Sequence, residues 1–350
     1  MKTSIMNPSD PLQSSSTSQA ESSARPLMEH VERQSLHQMM RIRDVVQEAD
    51  DVLLISLEPT DGTQLGAWEP GAHVEVVLPS GLVRHYSLCG SPNDLTTYSI
   101  AVLLNESGRG GSREIHKIAR SGAVLSVGPP RNNFPLQPAS TYVFLAGGIG
   151  LTPILPMIAQ AQKQGADWRL VYAARTRSRM GFLGALANYD ENRISLRPED
   201  ETGRPDFRTE LASLPEGARV YACGPAPMLE ALENLFATES LKASLHLERF
   251  TGTGDIVDTS GAEFDVVLAR TGVTVTVGAA QTILEAIRSV SRSTPSSSCE
   301  QGYCGTCETT VLDGLPDHRD SYLTEDERED NDTMMICVSR CLSKRLTLDL

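Results

Sequence analysis

The sequence lacks any run of about 18 uncharged apolar residues, so it predicts no membrane-spanning helix. Its first residues, MKTSIMNPSDPLQSSSTSQAESS, contain no apolar stretch as long as a secretory signal needs. Basic residues are scarce too, because 31 Lys and Arg stand against 45 Asp and Glu, for a net charge of −14. A nucleic-acid-binding protein needs a basic face. We therefore expect a cytoplasmic protein that binds neither nucleic acid nor a membrane.

The seven cysteines are an odd number, and most of them lie in one short region. This distribution is typical of a metal site in a reducing compartment rather than of a disulfide scaffold. The chain has 350 residues, of which 40% are hydrophobic and 22% charged, so it can form two or three domains with real cores.

The residue composition and the hydrophobic pattern change several times along the chain. Residues 1–38 are rich in Ser, Thr, Gln and Pro and predict a disordered tail. Residues 39–138 contain short alternating apolar runs between Gly and Pro turns, which is typical of an antiparallel β-barrel. Residues 139–247 alternate strand-like and helix-like segments, which indicates an α/β domain with a parallel sheet. Residues 248–262 contain Thr-Gly-Thr-Gly and predict a linker, and residues 263–350 return to strands around the cysteine-rich loop.

Cys299, Cys304 and Cys307 form a C-x4-C-x2-C pattern, and Cys337 follows 30 residues after Cys307. This is the plant-type spacing of ligands to a 2Fe-2S cluster. A structural zinc is the alternative, but such sites usually consist of two short cysteine knuckles. Here the second half of the pattern contains only Cys337 and Cys341, which are separated by three residues.

The loop between the first cysteines contains Gly302 and Gly305. A loop can wrap closely around a cluster only where the chain tolerates unusual backbone angles, which glycine permits. The segment around residues 298–308, together with 317–320, resembles plant-type ferredoxin domains. That resemblance selects Cys337 as the fourth ligand and implies that Cys341 is a small buried residue.

A candidate flavin site lies at the end of a predicted barrel strand, in the segment Arg84-His85-Tyr86-Ser87. An arginine can hold a phosphate with its planar fork, and a tyrosine two residues later points the same way along a strand. That tyrosine can stack on an isoalloxazine ring, and the serine hydroxyl can approach its reactive nitrogen. The R-x-Y-S pattern is common by chance, so it needs a second element.

The second element is the glycine-rich segment 108–112, which opens the helix-like segment 113–120. Consecutive glycines before a helix expose backbone amides, and the helix N-terminus favours an anion. The alternative is an ordinary glycine turn with a serine N-cap. Two elements able to hold phosphate in one small barrel favour the flavin hypothesis.

Two further motifs indicate a nucleotide site in the α/β domain. Gly147, Gly148 and Gly150 join a buried strand to a helix, where a dinucleotide backbone can approach the helix start. Cys223-Gly224-Pro225 follows the strand 219–223 and is the second motif, although a buried strand-end cysteine is an alternative interpretation. Segment 175–179 follows the second strand, where the ribose should lie, and its Arg177 and Arg179 either bind a 2′-phosphate or are solvated loop charges.

Together these motifs resemble the phthalate dioxygenase reductase family of the ferredoxin–NADP reductase superfamily, which includes vanillate demethylase and carnitine monooxygenase reductases. The resemblance covers about residues 41–350, in the order flavin, nicotinamide, iron–sulfur. It implies a multidomain fold: an antiparallel β-barrel flavin domain, an α/β nucleotide-binding domain and an α+β plant-type ferredoxin (β-grasp) domain. It also implies an NAD(P)H-dependent oxidoreductase that passes electrons from NADH through FMN and a 2Fe-2S cluster to a Rieske-type oxygenase, with NADPH as an alternative donor.

The resemblance carries a set of cofactor contacts over to this chain. For the flavin they are Arg84, His85, Tyr86, Ser87, Ala101, Val102, Leu103, Arg109, Gly110, Gly111, Ser112, Thr152 and Phe250. For the nicotinamide nucleotide they are Gly147, Gly148, Gly150, Arg175, Cys223, Gly224 and Pro225. For the cluster they are Cys299, Cys304, Cys307 and Cys337. Leu103 replaces a lysine of the family, so a backbone contact is expected there, and no catalytic acid or base is expected.

Two other functions stay open from the sequence. The alternatives to a Rieske-oxygenase reductase are a reductase for a cytochrome P450 and a non-catalytic flavin and iron–sulfur redox sensor. The segment 263–350 carries 15 acidic and eight basic residues, with a dense acidic run at 325–332. We expect this run either to steer docking onto a basic patch of the partner or to be a solvated loop.

Overall fold

The computed structural model describes residues 37–108, 110–250, 259–290, 295, 297, 299–303, 305–320 and 322–350. The predicted tail up to residue 36, linker residues 251–258, the flavin candidate Arg109 and the cluster candidate Cys304 lie outside the described residues. None of the helices in the described part of the chain combines the length and the apolar character needed to cross a bilayer.

The first sheet is antiparallel and has six strands in the order β4-β3-β6-β1-β2-β5. Its strands are β1 (Gln38–Ala49), β2 (Val52–Pro59), β3 (His73–Val77), β4 (Val83–Ser87), β5 (Tyr98–Leu103) and β6 (Val124–Val127). A bridge between Leu88 and Ile100 joins the two edge strands, so the sheet closes into a barrel. Helix α1 (Gly111–Ile118) follows β5 and buries Ile115 against the barrel core.

The second sheet is parallel, with five strands in the order β11-β10-β7-β8-β9. Its strands are β7 (Thr141–Gly147), β8 (Asp167–Ala174), β9 (Ile194–Pro198), β10 (Arg219–Cys223) and β11 (Ser244–Glu248). Its helices are α2 (Leu151–Lys163), α3 (Leu183–Leu186), α4 (Glu199–Thr202), α5 (Phe207–Leu211) and α6 (Ala226–Thr238), with 3-10 turns at Gly148–Gly150, Arg177–Arg179 and Glu191–Arg193. Strand β7 is apolar along its length because successive side chains enter hydrophobic clusters on opposite faces of the sheet.

The third sheet is mixed, in the order β13-β12-β18-β14-β16. Its strands are β12 (Phe264–Leu268), β13 (Val273–Val277), β14 (Glu308–Asp313), β16 (Thr333–Met335) and β18 (Arg345–Leu348), and β15 (Pro316–Asp317) pairs separately with β17 (Arg340–Cys341). Helix α7 (Ile283–Val290) buries one face against this sheet, and the short helix α8 (Glu325–Asp330) carries the acidic run.

The three sheets have the predicted architecture, and the differences from the sequence analysis are local. Two strands, β1 and β11, were not expected from the pattern, and β11 extends to Glu248 at the start of the predicted linker. The segment 181–188 looks helical in sequence, yet its helix spans only Leu183–Leu186. Phe182 adopts a left-handed backbone conformation, with a φ of 63°, which stops a regular helix from starting earlier.

Arg340 organises the start of the third sheet from inside the protein. Its side chain is almost wholly buried, and its guanidinium group lies 5.1 Å from the centre of the Phe264 ring. The same group donates hydrogen bonds to four backbone carbonyls, those of Thr259, Ala262, Gly278 and Gln281. These bonds satisfy a buried charge and fasten the segment before β12 to the loop after β13.

We predict that Arg340→Met weakens the third sheet by about 3 kcal/mol, because it removes a buried charged donor and leaves four backbone carbonyls without it. Native-state hydrogen exchange of the β12 amides measures this loss. Arg345→Met is the matched control, since that side chain is 62% exposed and lies 3.9 Å from Asp265. The control is expected to change stability by less than about 0.5 kcal/mol. Equal protection in the two variants would contradict the role assigned to Arg340.

Candidate functional site

A cleft of about 1040 Å³ lies where the barrel, the parallel sheet and the cysteine loop meet. Its wall includes eight predicted flavin residues from the barrel: Arg84, His85, Tyr86, Ser87, Ala101, Leu103, Gly111 and Ser112. Thr152 and Phe250, predicted from elsewhere in the chain, line the same cleft, as does Cys299. The structure thus brings together candidates that are up to about 200 residues apart in sequence.

Val102 differs from its predicted neighbours because its side chain lies in the barrel core rather than in the cleft. Its carbonyl oxygen lies 2.9 Å from Nε2 of His116. The alternation of side chains along β5 explains this, since residues on either side of Val102 face the cleft. Leu103 is 37% exposed, and its neighbour Ala101 is buried.

The barrel part of the cleft fits a phosphate group. Helix α1 begins at Gly111, and its N-cap residue Gly110 provides no side-chain cap, so the first amides of the helix have no such partner. The side chain of Arg84 packs so closely over this helix end that a Cβ atom at Gly111 would collide with it. A guanidinium fork beside a helix N-terminus favours an anion bound between them.

Apolar and hydrogen-bonding groups surround this anion position. Burial raises the pKa of the Tyr86 hydroxyl, so the ring stays neutral and can pack against a flat apolar ligand. The Oγ of Ser112, in the first turn of α1, accepts a hydrogen bond from the backbone N–H of Asn105 at 3.0 Å. This bond holds the loop before α1 in place beside the cleft.

The parallel sheet supplies a second turn suited to a phosphate. Gly150 precedes α2, whose N-terminus likewise has no side-chain cap. The turn packs so tightly on the end of β10 that a Cβ at Gly150 would collide with the carbonyl of Cys223. Gly147 packs in the same way, since a Cβ there would lie 2.6 Å from Cδ of Pro225 and 3.2 Å from Cα of Gly224. The two predicted nicotinamide motifs therefore form one surface at the carboxyl ends of β7 and β10. This edge is where nucleotides bind in open parallel sheets.

A half-buried carboxyl group that the sequence analysis missed lies between the barrel and the parallel sheet. Glu248, the last residue of β11, has its Oε2 3.4 Å from Oγ of Ser87. Burial raises the pKa of Glu248 to about 8, and Ser87 only partly offsets this. Burial, with a smaller contribution from Glu248, also raises the pKa of the Cys223 thiol. Burial thus favours the uncharged forms of Glu248 and Cys223 beside the Ser87 hydroxyl, and only the tertiary structure places the three together.

Arg249 and Glu233 were also missed by the sequence analysis, and they form another part of the cleft wall. Nη2 of Arg249 lies 2.5 Å from Oε1 of Glu233. The other terminal nitrogen, Nη1, is buried and makes no hydrogen bond with the described residues. A buried donor without a partner is costly, so this atom is suited to an acceptor on a bound molecule.

The predicted cluster ligands converge within the described residues. Cys299, Cys307 and Cys337 are all buried, and the thiol of Cys337 contacts the other two. Backbone amides point at these sulfurs, with the amide nitrogen of Gln301 3.3 Å from Sγ of Cys299 and that of Gly302 bonded to Cys337. Thiolates that accept backbone N–H groups are the donor set that an iron–sulfur cluster requires.

The loop geometry between these cysteines agrees with the expectation for its glycines. Gly302 and Gly305 have φ values of 75° and 72°, in the region that glycine alone adopts readily. A Cβ at Gly302 would lie 2.6 Å from Cγ2 of Val338, and one at Gly305 would collide with the ring of Tyr322. Cys341 is half-buried on β17, and its Sγ contacts Ser343.

The predicted ribose end of the nucleotide site lies at the ends of β8 and β9. Arg175 is exposed there, and its carbonyl accepts a hydrogen bond from the amide of Asp200. Arg177 forms a two-pronged ion pair with Glu201, with N···O distances of 3.0 and 2.7 Å. Arg179 lies 3.0 Å from Asp51. The second and third arginines of this segment are thus each paired with a carboxylate.

Comparison with known proteins agrees with this geometry. The family model of the 2Fe-2S iron–sulfur cluster binding domain matches residues 266–342. The chain is 42% identical over 315 residues to phenoxybenzoate dioxygenase subunit beta of Ectopseudomonas oleovorans, covering 89% of this chain and 97% of that protein. It is 37% identical over 317 residues to the carnitine monooxygenase reductase subunit of Escherichia coli (strain K12), covering 89% and 98%.

Two solved structures extend the comparison to the whole fold. Phthalate dioxygenase reductase, described as a modular structure for electron transfer from pyridine nucleotides to 2Fe-2S, has a TM-score of 0.67 and 33% identity. That match covers 90% of this chain and 98% of the other. A type IV self-sufficient cytochrome P450 monooxygenase has a TM-score of 0.78 and 42% identity, over 91% of this chain. The chain spans only 41% of that P450's length.

Barrel, parallel sheet and iron–sulfur domain in this order define a flavin and iron–sulfur reductase, and they confirm the predicted fold class. The chain belongs to the phthalate dioxygenase reductase family. Its 2Fe-2S domain and its flavin and pyridine nucleotide chemistry follow from that membership.

We predict that Glu248 is protonated at about pH 7 and ionises only near its raised pKa of about 8. An acid whose pKa is raised by folding favours the folded state below its ordinary pKa, and this contribution is lost as the pH rises through the raised value. Infrared spectroscopy should therefore show a protonated carboxyl band that disappears near pH 8 and is absent in Glu248→Gln. A band that titrates near the ordinary carboxyl pKa, or that survives in the variant, would contradict the assignment.

Proposed function

We propose that this chain is the reductase component of a Rieske-type mono- or dioxygenase system, which passes electrons from NADH through FMN and a 2Fe-2S cluster to the oxygenase. The observation that carries the proposal is the single cleft shared by the phosphate cradle of the barrel, Thr152 of the nucleotide turn, and Cys299 of the cysteine loop. Oxygenase reductases of similar length and sequence support it.

A bound flavin accepts two electrons as hydride and releases them singly, which is what connects a nicotinamide to an iron–sulfur centre. In this proposal Arg84 and the first amides of α1 hold the flavin phosphate, and Tyr86 packs against the ring. One guanidinium fork and one helix end suit a terminal phosphate and a pyrophosphate alike. FMN rather than FAD is therefore proposed from the family resemblance.

The residues around the ring position have distinct proposed tasks. The Ser87 hydroxyl donates to Oε2 of Glu248, and this bond fixes its direction at the ring edge. Cys223, Gly224 and Pro225 hold the nicotinamide beside it, because their turn packs directly on the glycine turn before α2. Their lack of charge keeps the ring surroundings apolar, which favours direct transfer and excludes competing reactions with water.

The proposed cluster ligands are Cys299, Cys304, Cys307 and Cys337. Among the described members of this set, the convergence of three thiols and the amide-to-sulfur bonds support the assignment. The contacts of Cys341 with Ser343 support its exclusion from the ligand set.

The proposed partner docks on the acidic face of the third domain. Helix α8 begins with a capping box between Thr324 and Glu327, so the acidic run is held in a defined helix. Three acidic residues in its first turn, Glu325, Asp326 and Glu327, favour a partner with a basic surface. A cytochrome P450 is the second candidate partner, because the self-sufficient P450 structure contains a segment 42% identical to this chain.

We predict that Cys337→Ser abolishes one-electron delivery while leaving reduction of the flavin by NADH intact. The serine oxygen is a poor substitute for a thiolate ligand, so the variant should lose acid-labile sulfide and fall by about a hundredfold or more in cytochrome c reduction. Cys341→Ser is the matched control and should keep most of that rate. Stopped-flow absorbance separates flavin bleaching from cluster reduction.

Several outcomes would contradict the proposal. Equal loss in Cys337→Ser and Cys341→Ser would refute the ligand assignment. A wild-type protein that binds its cofactors but turns over negligibly would favour a redox sensor. Electron transfer to a purified P450 but not to a Rieske oxygenase would favour the second candidate. Mass spectrometry of the released flavin distinguishes FMN from FAD.

The preference for NADH is proposed from the ion pairs at the ribose end. A 2′-phosphate needs a cation that can turn towards it. Arg177 is instead paired with Glu201, and Arg179 with Asp51. Glu201, in the short helix α4 that follows β9, also repels a phosphate by its negative charge. The arginines alone would suggest NADPH.

We predict that Glu201→Gln raises kcat/KM for NADPH by roughly fivefold to tenfold, because it frees Arg177 and removes one negative charge. The rate with NADH should change by less than about twofold. Glu216→Gln is the matched control, since it removes the same charge from another exposed ion pair, the one with Lys242 at 3.8 Å. An unchanged ratio of NADPH to NADH activity in Glu201→Gln would overturn this account of specificity.

A further inference from the structure

The cysteine loop contacts the barrel strand that carries the proposed flavin contacts. Thr306 lies directly before Cys307, and its Oγ1 is 3.1 Å from Nε2 of His85. His85 lies on β4 between Arg84 and Tyr86, so this hydrogen bond joins the loop to the middle of the flavin strand. The two residues are 221 positions apart in the sequence.

A second hydrogen bond joins the same loop to the other side of the cleft. The hydroxyl of Tyr303, the residue before Cys304, donates to the carbonyl oxygen of Phe250 at 2.5 Å. Phe250 lines the cleft two residues after Glu248, the end of β11. The loop is therefore attached on both sides of the proposed ring position. Each of the two attaching side chains belongs to the residue directly before a predicted cluster ligand.

The histidine side of the first bond is held rigidly. The imidazole of His85 stacks on that of His73, with ring centres 5.1 Å apart and planes inclined by 15°. Its Nε2 also lies 3.4 Å from Oε2 of Glu75. Burial, followed by the charges of His85 and Arg131, lowers the pKa of His73 to about 3, so His73 is neutral in the stack. His85 thus has little freedom to turn away from Thr306.

We propose that Thr306 and Tyr303 are positioning residues that clamp the cysteine loop against the flavin strand and thereby set the distance over which single electrons leave the flavin. This inference rests on the proposed function. Electron transfer between two fixed centres slows steeply with distance, so a loop that is held at two points transfers faster than one that drifts. Neither hydroxyl is a cluster ligand or a flavin phosphate contact, so hydride transfer does not depend on them.

The experiment uses the complete, cofactor-loaded protein and three variants: Thr306→Val, Tyr303→Phe and the two combined. Stopped-flow absorbance after NADH addition follows flavin bleaching and cluster reduction separately. Bleaching should be unchanged, and cluster reduction should slow by roughly fivefold to tenfold in the double variant. Thr274→Val, at an exposed position on β13, is the matched control and should alter neither phase.

A second measurement does not depend on activity. Hydrogen exchange followed by mass spectrometry should show faster exchange in peptides covering residues 299–307 and 84–87 in the double variant. Acid-labile sulfide and the electron paramagnetic resonance signal of the reduced cluster should be unchanged, which excludes a simple loss of the cluster.

A double-variant cycle tests the hydrogen bond itself. If Thr306 acts through His85, then Thr306→Val slows cluster reduction in the wild-type background but adds little in a His85→Ala background. Equal slowing in both backgrounds would overturn the pairing. Unchanged cluster reduction and exchange in the Tyr303 and Thr306 variants would overturn the clamp, whereas a wild-type flavin that NADH does not bleach would refute the proposed function instead.

Discussion

The architecture depends on one constraint, which is that three separately hydrogen-bonded sheets must present their ends to a single cleft. Each sheet contributes a turn or loop whose backbone groups are not hydrogen-bonded within the sheet. These are the glycine turn before α1, the turn between β7 and α2, and the loop that begins at Cys299. Helix starts and tight loops leave amides available, so these ends are suited to phosphates and to sulfur. The strands behind them serve mainly to fix their directions.

The interior of the cleft differs electrostatically from the protein surface. The chain has a net charge of −14, but Ser87, Glu248 and Cys223 lie together where the barrel meets the parallel sheet. Burial raises the pKa of both the carboxyl group and the thiol, because ionising either would cost solvation that the cleft does not return. The ionised acids are on the outside, as in α8, where they can act on a partner at a distance without disturbing the ring position.

Some features could be predicted because they depend on local chemistry. The spacing of the cysteines indicated a cluster loop, and the positive φ values of Gly302 and Gly305 follow from how tightly such a loop must turn. The alternation of strand and helix after residue 139 predicted the parallel sheet. Val102 shows where this reasoning weakens, since a contact carried over by resemblance gave the residue but not the face of β5 on which its side chain lies.

The sequence by itself determined the kinds of modules, their order and the residue types that bind phosphate and iron, because each of these is encoded within a few neighbouring residues. Only the tertiary structure decided which groups meet across the cleft. Two such pairs are Ser87 with Glu248, 161 residues apart, and His85 with Thr306, 221 residues apart. No local sequence pattern distinguishes Glu248 or Thr306 from other residues of its type. Such pairs form only when packing of the sheets brings together the two ends of the long chain segment between the paired residues.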